Sequence, residues 1–134
     1  MICTVKQLLH VTRTSAQLAE QLEEIVSDET WKQQLILYLE DIQRQYKLWQ
    51  YIHYLLVGTY EESNSEKMVK ASSSERLHAL CSKELKKGIL CRKASERLSG
   101  AAQKAADRSL QQAIQYSQLF FTMIKTQLVH QIGR

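Results

Sequence analysis

The side chains of this chain that could bind a metal ion or act as nucleophiles are few and widely spaced. The histidines are His10, His53, His78 and His130. No two of them form a His-x-x-x-His pair, and the sequence has no glycine-rich phosphate-binding loop. Local sequence suggests no Ser/His/Asp or Cys/His catalytic set, although such sets can assemble across a fold. We therefore expect no catalytic residues, no enzyme activity and no cofactor.

The cysteines, Cys3, Cys81 and Cys91, do not form a disulfide framework. Cys81 and Cys91 fall on one predicted helix, about 15 Å apart along its axis, so they can neither form a disulfide nor share a metal ion. We interpret these two as small buried apolar side chains and Cys3 as a thiol near a free chain end.

One long helix, predicted over residues 28–57, organises the rest of the chain. Positions spaced alternately four and three apart form its predicted buried seam: Trp31, Leu35, Tyr38, Ile42, Gln45, Trp49, Ile52 and Leu56. All but one of these side chains are apolar or aromatic, which is typical of a helix packed lengthwise against other helices. The exception is Gln45, which the spacing places inside the seam at mid-helix.

The remaining residues predict three further helices within a single all-α domain over residues 1–134. The chain has no proline and only four glycines, whereas a β-rich domain of this size needs frequent turn residues. The predicted helices cover about 4–26, 28–57, 74–99 and 101–131. Short connections make the first two and the last two antiparallel hairpins. The polar link over residues 59–73 is long enough for the third helix to begin at either end of the second.

Capping residues mark the predicted helix ends. Ser27 is the predicted N-cap of the second helix, and Gly58 is its predicted C-terminal cap. Ser72 and Glu75 have the spacing of a capping box ahead of the third helix. Gly100 marks the break between the third and fourth helices.

Charge is distributed unevenly along the chain, whose net charge is +4. Residues 17–41 carry seven acidic side chains and one basic, whereas residues 82–108 carry eight basic and three acidic. We interpret these segments as solvated faces that attract each other within the bundle. The alternative is a basic patch for nucleic acid, made of Lys83, Lys86, Lys87, Arg92, Lys93, Arg97, Lys104 and Arg108. No aromatic platform or recognition-helix motif accompanies them, so nucleic-acid binding is disfavoured.

Several aromatic residues near the end of the second helix cannot fit one buried seam. We predict that Tyr51, Tyr54, Leu55 and Tyr60 form a surface for a protein partner. A homodimer is the commonest arrangement of this kind. No apolar run approaches the roughly 20 residues that a membrane span needs, and the first residues lack a signal-peptide core. We therefore expect a soluble, cytoplasmic protein.

Two stretches of the chain resemble helices of small bacterial ferritin-like proteins related to rubrerythrin. EDIQRQYKLWQYIHYLLVG, residues 40–58, is similar to the second helix of that family, in which an acidic residue and a histidine precede an aromatic run and a Leu-x-Gly helix end. RSLQQAIQYSQLFF, residues 108–121, resembles the family's second Glu-x-x-His helix. The resemblance implies a four-helix bundle in which the link between the second and third helices crosses its full length.

The same resemblance implies that the metal ligands of the family are missing here. A di-metal centre of that type takes a carboxylate from each of two helices and a Glu-x-x-His pair from each of the other two. The ligand positions fall on Ile42 and Gln45 in the second helix and on Ser109 and Gln112 in the fourth. In the first helix the position falls near Ala16, with Glu20 one turn later. Glu84 is the remaining candidate at about the right depth. Such a set suits neither iron nor manganese, so we expect no bound metal.

In place of a metal centre we predict a polar layer of Gln45, Gln112 and Glu84, whose buried groups need hydrogen-bond partners. This layer either fixes helix register, which we favour, or retains a small-ligand or metal pocket. The predicted function is a non-catalytic structural or protein-interaction module of ferritin-like type that self-associates. The alternatives are a residual metal-binding oxidoreductase and a nucleic-acid-binding bundle acting through residues 82–108.

Overall fold

The computed structural model describes residues 1–65 and 71–132 of the chain. Within these ranges the backbone forms four α-helices and no strand: α1 (Ile2–Ile25), α2 (Glu29–Val57), α3 (Ser73–Arg97) and α4 (Gly100–Ile132). The predicted all-α, four-helix class is therefore confirmed for the described part of the chain. No helix in this part is both long enough and apolar enough to cross a membrane.

Capping residues determine where α2 starts and stops. The Asp28 carboxylate accepts a hydrogen bond from the backbone N–H of Trp31 at 3.1 Å. The predicted N-cap, Ser27, is therefore wrong by one residue. A carboxylate at the helix start also interacts favourably with the helix dipole, which explains why Asp28 takes this position. Gly58 ends the helix with a φ of 81°, in the left-handed region that favours glycine.

Capping also defines the third and fourth helices. Ser72 and Glu75 form the predicted capping box, in which the Glu75 N–H donates to the Ser72 hydroxyl at 3.1 Å. Gly100, with a φ of 60°, begins α4 after a very short turn from α3. The tightness of that turn forces α3 and α4 to lie against each other in opposite directions.

Two clusters of buried apolar side chains form the core. Cluster I consists of Ala16, Leu18, Ala19, Leu22, Leu35, Tyr38, Ile42, Leu77, Leu80, Phe120, Met123 and Ile124. Cluster II consists of Val5, Leu8, Leu9, Val11, Trp49, Ile52, Leu90, Cys91, Ala94 and Ala106. Each cluster takes side chains from all four helices, so each fills one half of the bundle.

The composition of the clusters gives the helix directions. Cluster I contains the first halves of α2 and α3 and the second halves of α1 and α4, and cluster II contains the complementary halves. Thus α2 and α3 run in the same direction, opposite to α1 and α4. The α1–α2 turn lies at the cluster I end, which we call the acidic end. The α3–α4 turn lies at the cluster II end, which we call the basic end.

Neighbouring helices are antiparallel and the diagonal pairs are parallel. α1 packs against α2 and α3, α3 packs most extensively against α4, and α2 approaches α4 at only a few positions. Because α2 finishes at the basic end and α3 starts at the acidic end, their link joins opposite ends of the bundle. Its described part lies along α1 and α2: Ser63 N–H donates to the Tyr46 hydroxyl at 2.8 Å, and Ser65 bonds to Gln17.

Candidate functional site

A layer of buried polar side chains separates cluster I from cluster II. All four helices contribute to it, through Thr12, Ser15, Gln45, Glu84, Lys87 and Ser109, none more than 4% exposed. Burying this many polar groups is costly unless they bond to one another. The layer is therefore the first place to search for a site.

A charged cluster of Tyr38, Glu84 and Lys87 occupies one side of this layer. The Lys87 ammonium donates to Glu84 Oε1 at 2.8 Å, and neither side chain is exposed. The Tyr38 hydroxyl donates to the same carboxylate oxygen. The Lys87 ammonium also lies 5.8 Å from the centre of the Tyr38 ring. Each buried charge thus has a partner, as burial at this depth requires.

The surroundings of the charged cluster keep nearby acidic groups in their neutral forms. Burial raises the pKa of the Tyr38 hydroxyl well above its usual value, and the Glu84 carboxylate adds to the effect. Burial also raises the pKa of the Cys91 thiol to about 12, and the Cys81 thiol shifts in the same direction. Because a thiolate is the reactive form of cysteine, neither thiol is activated as a nucleophile.

One glutamine of the polar layer, Gln45, pairs with a half-buried glutamine, Gln112. Gln45 Nε2 donates to Gln112 Oε1 at 2.5 Å, which joins α2 to α4 where these helices otherwise touch little. Glu84 bonds to Tyr38 and Lys87 rather than to the glutamines. The predicted layer of Gln45, Gln112 and Glu84 thus consists of two separate bonded groups.

A second tyrosine–carboxylate pair, outside the sequence-based prediction, lies nearby. The Tyr116 hydroxyl donates to Asp41 Oδ2, and the Tyr116 ring packs edge-on against Tyr38 with 4.7 Å between ring centres. Burial and the hydrogen bond to Asp41 both raise the Tyr116 pKa well above its usual range. The Asp41 carboxylate is also bonded by Arg44 at 2.9 Å. This pair is half-buried and links α2 to α4 beside the glutamines.

The residues present do not fit a ferritin-like di-metal centre. Ala16, Ile42, Gln45, Ser109 and Gln112, the positions that the resemblance assigns to ligands, carry no carboxylate or imidazole, and Lys87 pairs with Glu84. An ammonium ion next to the carboxylate repels a metal cation. Across the described residues, no three His, Cys, Asp or Glu side chains could together hold a metal ion.

The sequence contains one Glu-x-x-His spacing. Glu75 and His78 have this spacing at the start of α3. Both are exposed: Glu75 caps the helix, and His78 Nδ1 donates to the Ser74 carbonyl at 2.8 Å. They lie outside the core, far from the central layer, so they supply no ligand to it.

One residue of the predicted basic patch is not on the surface, and two others line different grooves. Lys87 is fully buried and its assignment to the patch is wrong, because α3 turns it into the polar layer to face Glu84. Arg92 lines a groove between α3 and α4, whereas Arg108 lines a different groove between α2 and α4. The exposed basic residues that remain near the α3–α4 turn are Lys93, Arg97 and Lys104.

The predicted interaction residues Tyr51, Tyr54, Leu55 and Tyr60 are all exposed, by 42–61%. The Tyr54 and Tyr60 rings stack with 4.8 Å between their centres. The prediction that Leu56 belongs to the buried seam is wrong: it is 40% exposed, and its neighbours Leu55 and Val57 are exposed as well.

We call residues 54–57, the last turn of α2, the apolar tip. Its side chains are Tyr54, Leu55, Leu56 and Val57, and all four are exposed. Four successive residues go once around an α-helix, so the tip is apolar on every side. A helix turn of this composition is normally buried.

A cleft of about 500 Å³ lies at the opposite, acidic end of the bundle. It is formed where the α1–α2 turn, the start of α3 and the last turns of α4 meet, and its lining includes Asp28, Trp31, Ser73, Thr126, Gln127 and His130. Ile25, Leu128 and Val129 are exposed at the same end. No sequence motif indicates this cleft, because its walls come from three distant segments.

Comparison of the chain with protein-family models, with curated proteins and with solved structures finds no match.

Proposed function

We propose that this chain is a non-catalytic protein-interaction module that self-associates. The observation that carries the proposal is the apolar tip, where Leu55 is 58% exposed and its three neighbours at least 40%. Clustered apolar side chains of this kind are unfavourably hydrated until a partner covers them. Tyr51 and Tyr60 extend the surface with aromatic rings, which are enriched in protein interfaces.

The scaffold of the proposed module is a ferritin-like bundle without a working di-iron site. In favour of this assignment are the parallel diagonal pairs, the link that joins opposite ends of the bundle, and the polar layer at half-height. The Lys87 ammonium supplies the positive charge beside the buried Glu84 carboxylate that a metal ion would supply in such a bundle. The unpaired cysteines are in keeping with a reducing, cytoplasmic location.

Both alternatives have less support. A residual metal-binding oxidoreductase requires ligands that the central layer lacks, and its thiols and tyrosines are held in their neutral forms. A nucleic-acid-binding bundle requires a continuous basic surface, whereas Arg92 and Arg108 lie in different grooves and Lys87 is internal.

The test is the molar mass of the purified chain, measured by light scattering during size-exclusion chromatography. We expect the wild type to exceed the monomer mass and the Leu55→Gln/Leu56→Gln variant to be a monomer. Leu37→Gln is the matched control, because Leu37 is a 60% exposed leucine on the same helix. Equal masses for all three proteins would refute the proposal. Stoichiometric iron, manganese or zinc inside the bundle would refute its metal-free character.

A further inference from the structure

We infer that the apolar tip of one copy docks into the acidic-end cleft of a second copy, so that the chain assembles head to tail. This inference rests on the proposed function and names its partner. The two surfaces lie at opposite ends of the same molecule. A contact between unlike surfaces leaves a free tip on one copy and a free cleft on the other, so it can continue into a chain of copies.

The shapes of the two ends suit each other. The tip is a single helix turn exposed on every side, and the cleft of about 500 Å³ has the size of a typical ligand site, roughly 300–1,000 Å³. The Trp31 ring gives the cleft an apolar wall, and the exposed Leu128 and Val129 lie at the same end. Docking therefore brings apolar surface of one copy against apolar surface of the next.

The charges of the two ends are also complementary. Lys93, Arg97 and Lys104 surround the α3–α4 turn, are exposed, and pair with no other described residue. Glu24 and Glu29 are exposed beside the α1–α2 turn at the other end. Opposite charges on approaching surfaces accelerate encounter and select the orientation of docking.

The same charges disfavour a two-fold dimer through the tip. Such a dimer would bring two basic ends together and oppose Lys93, Arg97 and Lys104 of one copy to the same residues of the other. Like charges held in this way oppose association. The acidic end instead offers both an apolar cleft and the opposite charge, so the second copy binds there.

The experiment mixes two variants, each defective at one end. Leu55→Gln/Leu56→Gln removes the tip and keeps the cleft. Thr126→Trp fills the cleft and keeps the tip, at an exposed position whose hydroxyl bonds only within α4, to the Thr122 carbonyl. Thr122→Trp is its matched control, because Thr122 is exposed one turn earlier, makes the same type of bond and does not line the cleft. Circular dichroism and thermal melting check that every variant is folded.

Sedimentation velocity then gives distinct outcomes. We expect wild-type mass to grow with concentration beyond a dimer, each defective variant to be a monomer, and their equimolar mixture to form a dimer and nothing larger. We also expect salt, from about 0.05 M to about 0.5 M, to raise the dissociation constant of that dimer at least tenfold. The Thr122→Trp control should assemble as the wild type does.

Other results would overturn the inference. If the wild type associates and the tip variant does not, but the mixture stays monomeric, the tip does not meet the cleft and only the head-to-tail assignment fails. A wild type that stops at a dimer has the same meaning. If the wild type is a monomer at every concentration, or the tip variant assembles normally, the proposed function fails as well.

Discussion

At half-height, the bundle contains two hydrogen-bonded pairs of opposite chemistry. Glu84 and Lys87 are charged, lie three residues apart on α3, and are not exposed at all. Gln45 and Gln112 are neutral and join α2 to α4. The glutamine pair binds two helices together, whereas the ion pair lies within one helix and contacts α2 through the hydroxyl and ring of Tyr38. The two pairs therefore differ in depth as well as in charge, because Gln112 is only half-buried.

The difference predicts unequal penalties when one partner is removed. An amide that loses its partner costs the desolvation of a dipole, whereas a carboxylate that loses its partner leaves an uncompensated buried charge. Replacement of both partners removes the orphaned group in either case. The comparison can therefore be tested by single and double substitutions in the same host.

The largest expected effect is that of Lys87→Met, which leaves Glu84 buried with Tyr38 as its partner. We expect a loss of about 3–5 kcal/mol in the free energy of unfolding. The double variant with Glu84→Gln should recover much of it. Urea denaturation measures these values, with Lys86→Met, an exposed neighbour, as a control expected to change stability by less than about 0.5 kcal/mol. Equal losses for the two lysines would mean that Lys87 reaches solvent.

The glutamine pair should also lose stability on single substitution and recover part of it on double substitution, but by smaller amounts. Gln112→Leu alone leaves the buried Gln45 amide without its partner and should cost about 1–3 kcal/mol. The double variant Gln45→Leu/Gln112→Leu should be more stable than the sum of the two single effects, because no orphaned amide remains. Chemical denaturation of the four proteins gives this coupling. Small, additive effects would show that the glutamines do not depend on each other.

Alkaline pH should act on the charged side of the layer through Cys91, whose thiol lies in the field of Lys87 and Glu84. The Cys91 pKa rises from an ordinary value of 9.0 to about 12. Between these values the unfolded chain loses the thiol proton and the folded chain keeps it, so stability falls by about 1.4 kcal/mol per pH unit. Below the ordinary pKa this contribution is fully present.

The measurement for this third prediction is urea denaturation from about pH 8 to about pH 11. Cys91→Ala should reduce the alkaline slope by about 1.4 kcal/mol per unit, whatever constant offset the smaller side chain adds. Gln45→Leu/Gln112→Leu should leave the slope unchanged. Parallel curves for wild type and Cys91→Ala would contradict the raised thiol pKa.

The smallest effect is expected for Tyr116→Phe, which removes a hydroxyl from the half-buried Asp41. Because Arg44 and solvent still reach that carboxylate, we expect a loss of about 0.5–1.5 kcal/mol. Tyr38→Phe removes the same group from fully buried Glu84 and should cost more, about 1.5–3 kcal/mol. Thermal melting of the two variants tests whether loss of the hydroxyl costs more stability where the carboxylate is more deeply buried. A reversed order would mean that Lys87 alone satisfies Glu84.

Much of the fold could be predicted because helical spacing repeats along the chain. Every observed helix end lies within two residues of its predicted position, and six of the eight predicted seam residues of α2 are buried. The same alternating spacing on α3 runs through Leu77, Leu80, Glu84, Lys87, Cys91 and Ala94, all buried. This spacing alone predicts that Lys87 is buried. The strong general preference of lysine for the protein surface predicts the opposite.

The candidate interaction site was harder to predict, for two physical reasons. Spacing shows which face of a helix is apolar but not how far the neighbouring helices extend, so Leu56 continues the seam of α2 and is nevertheless exposed. The acidic-end cleft has walls from the α1–α2 turn, the start of α3 and the last turns of α4. Segments this distant in sequence carry no shared local pattern.

Because α1 and α4 run in the same direction, the first and last residues of the described chain lie at opposite ends of the bundle. α1 begins at the basic end, and the last turns of α4 line the cleft at the acidic end. In a head-to-tail contact, the last turn of α4 in one copy therefore lies beside the first turn of α1 in the next. Two copies encoded in tandem with a short flexible linker would hold tip and cleft at an effective concentration on the order of millimolar. A single polypeptide of linked copies would thus form an assembly with a defined number of subunits.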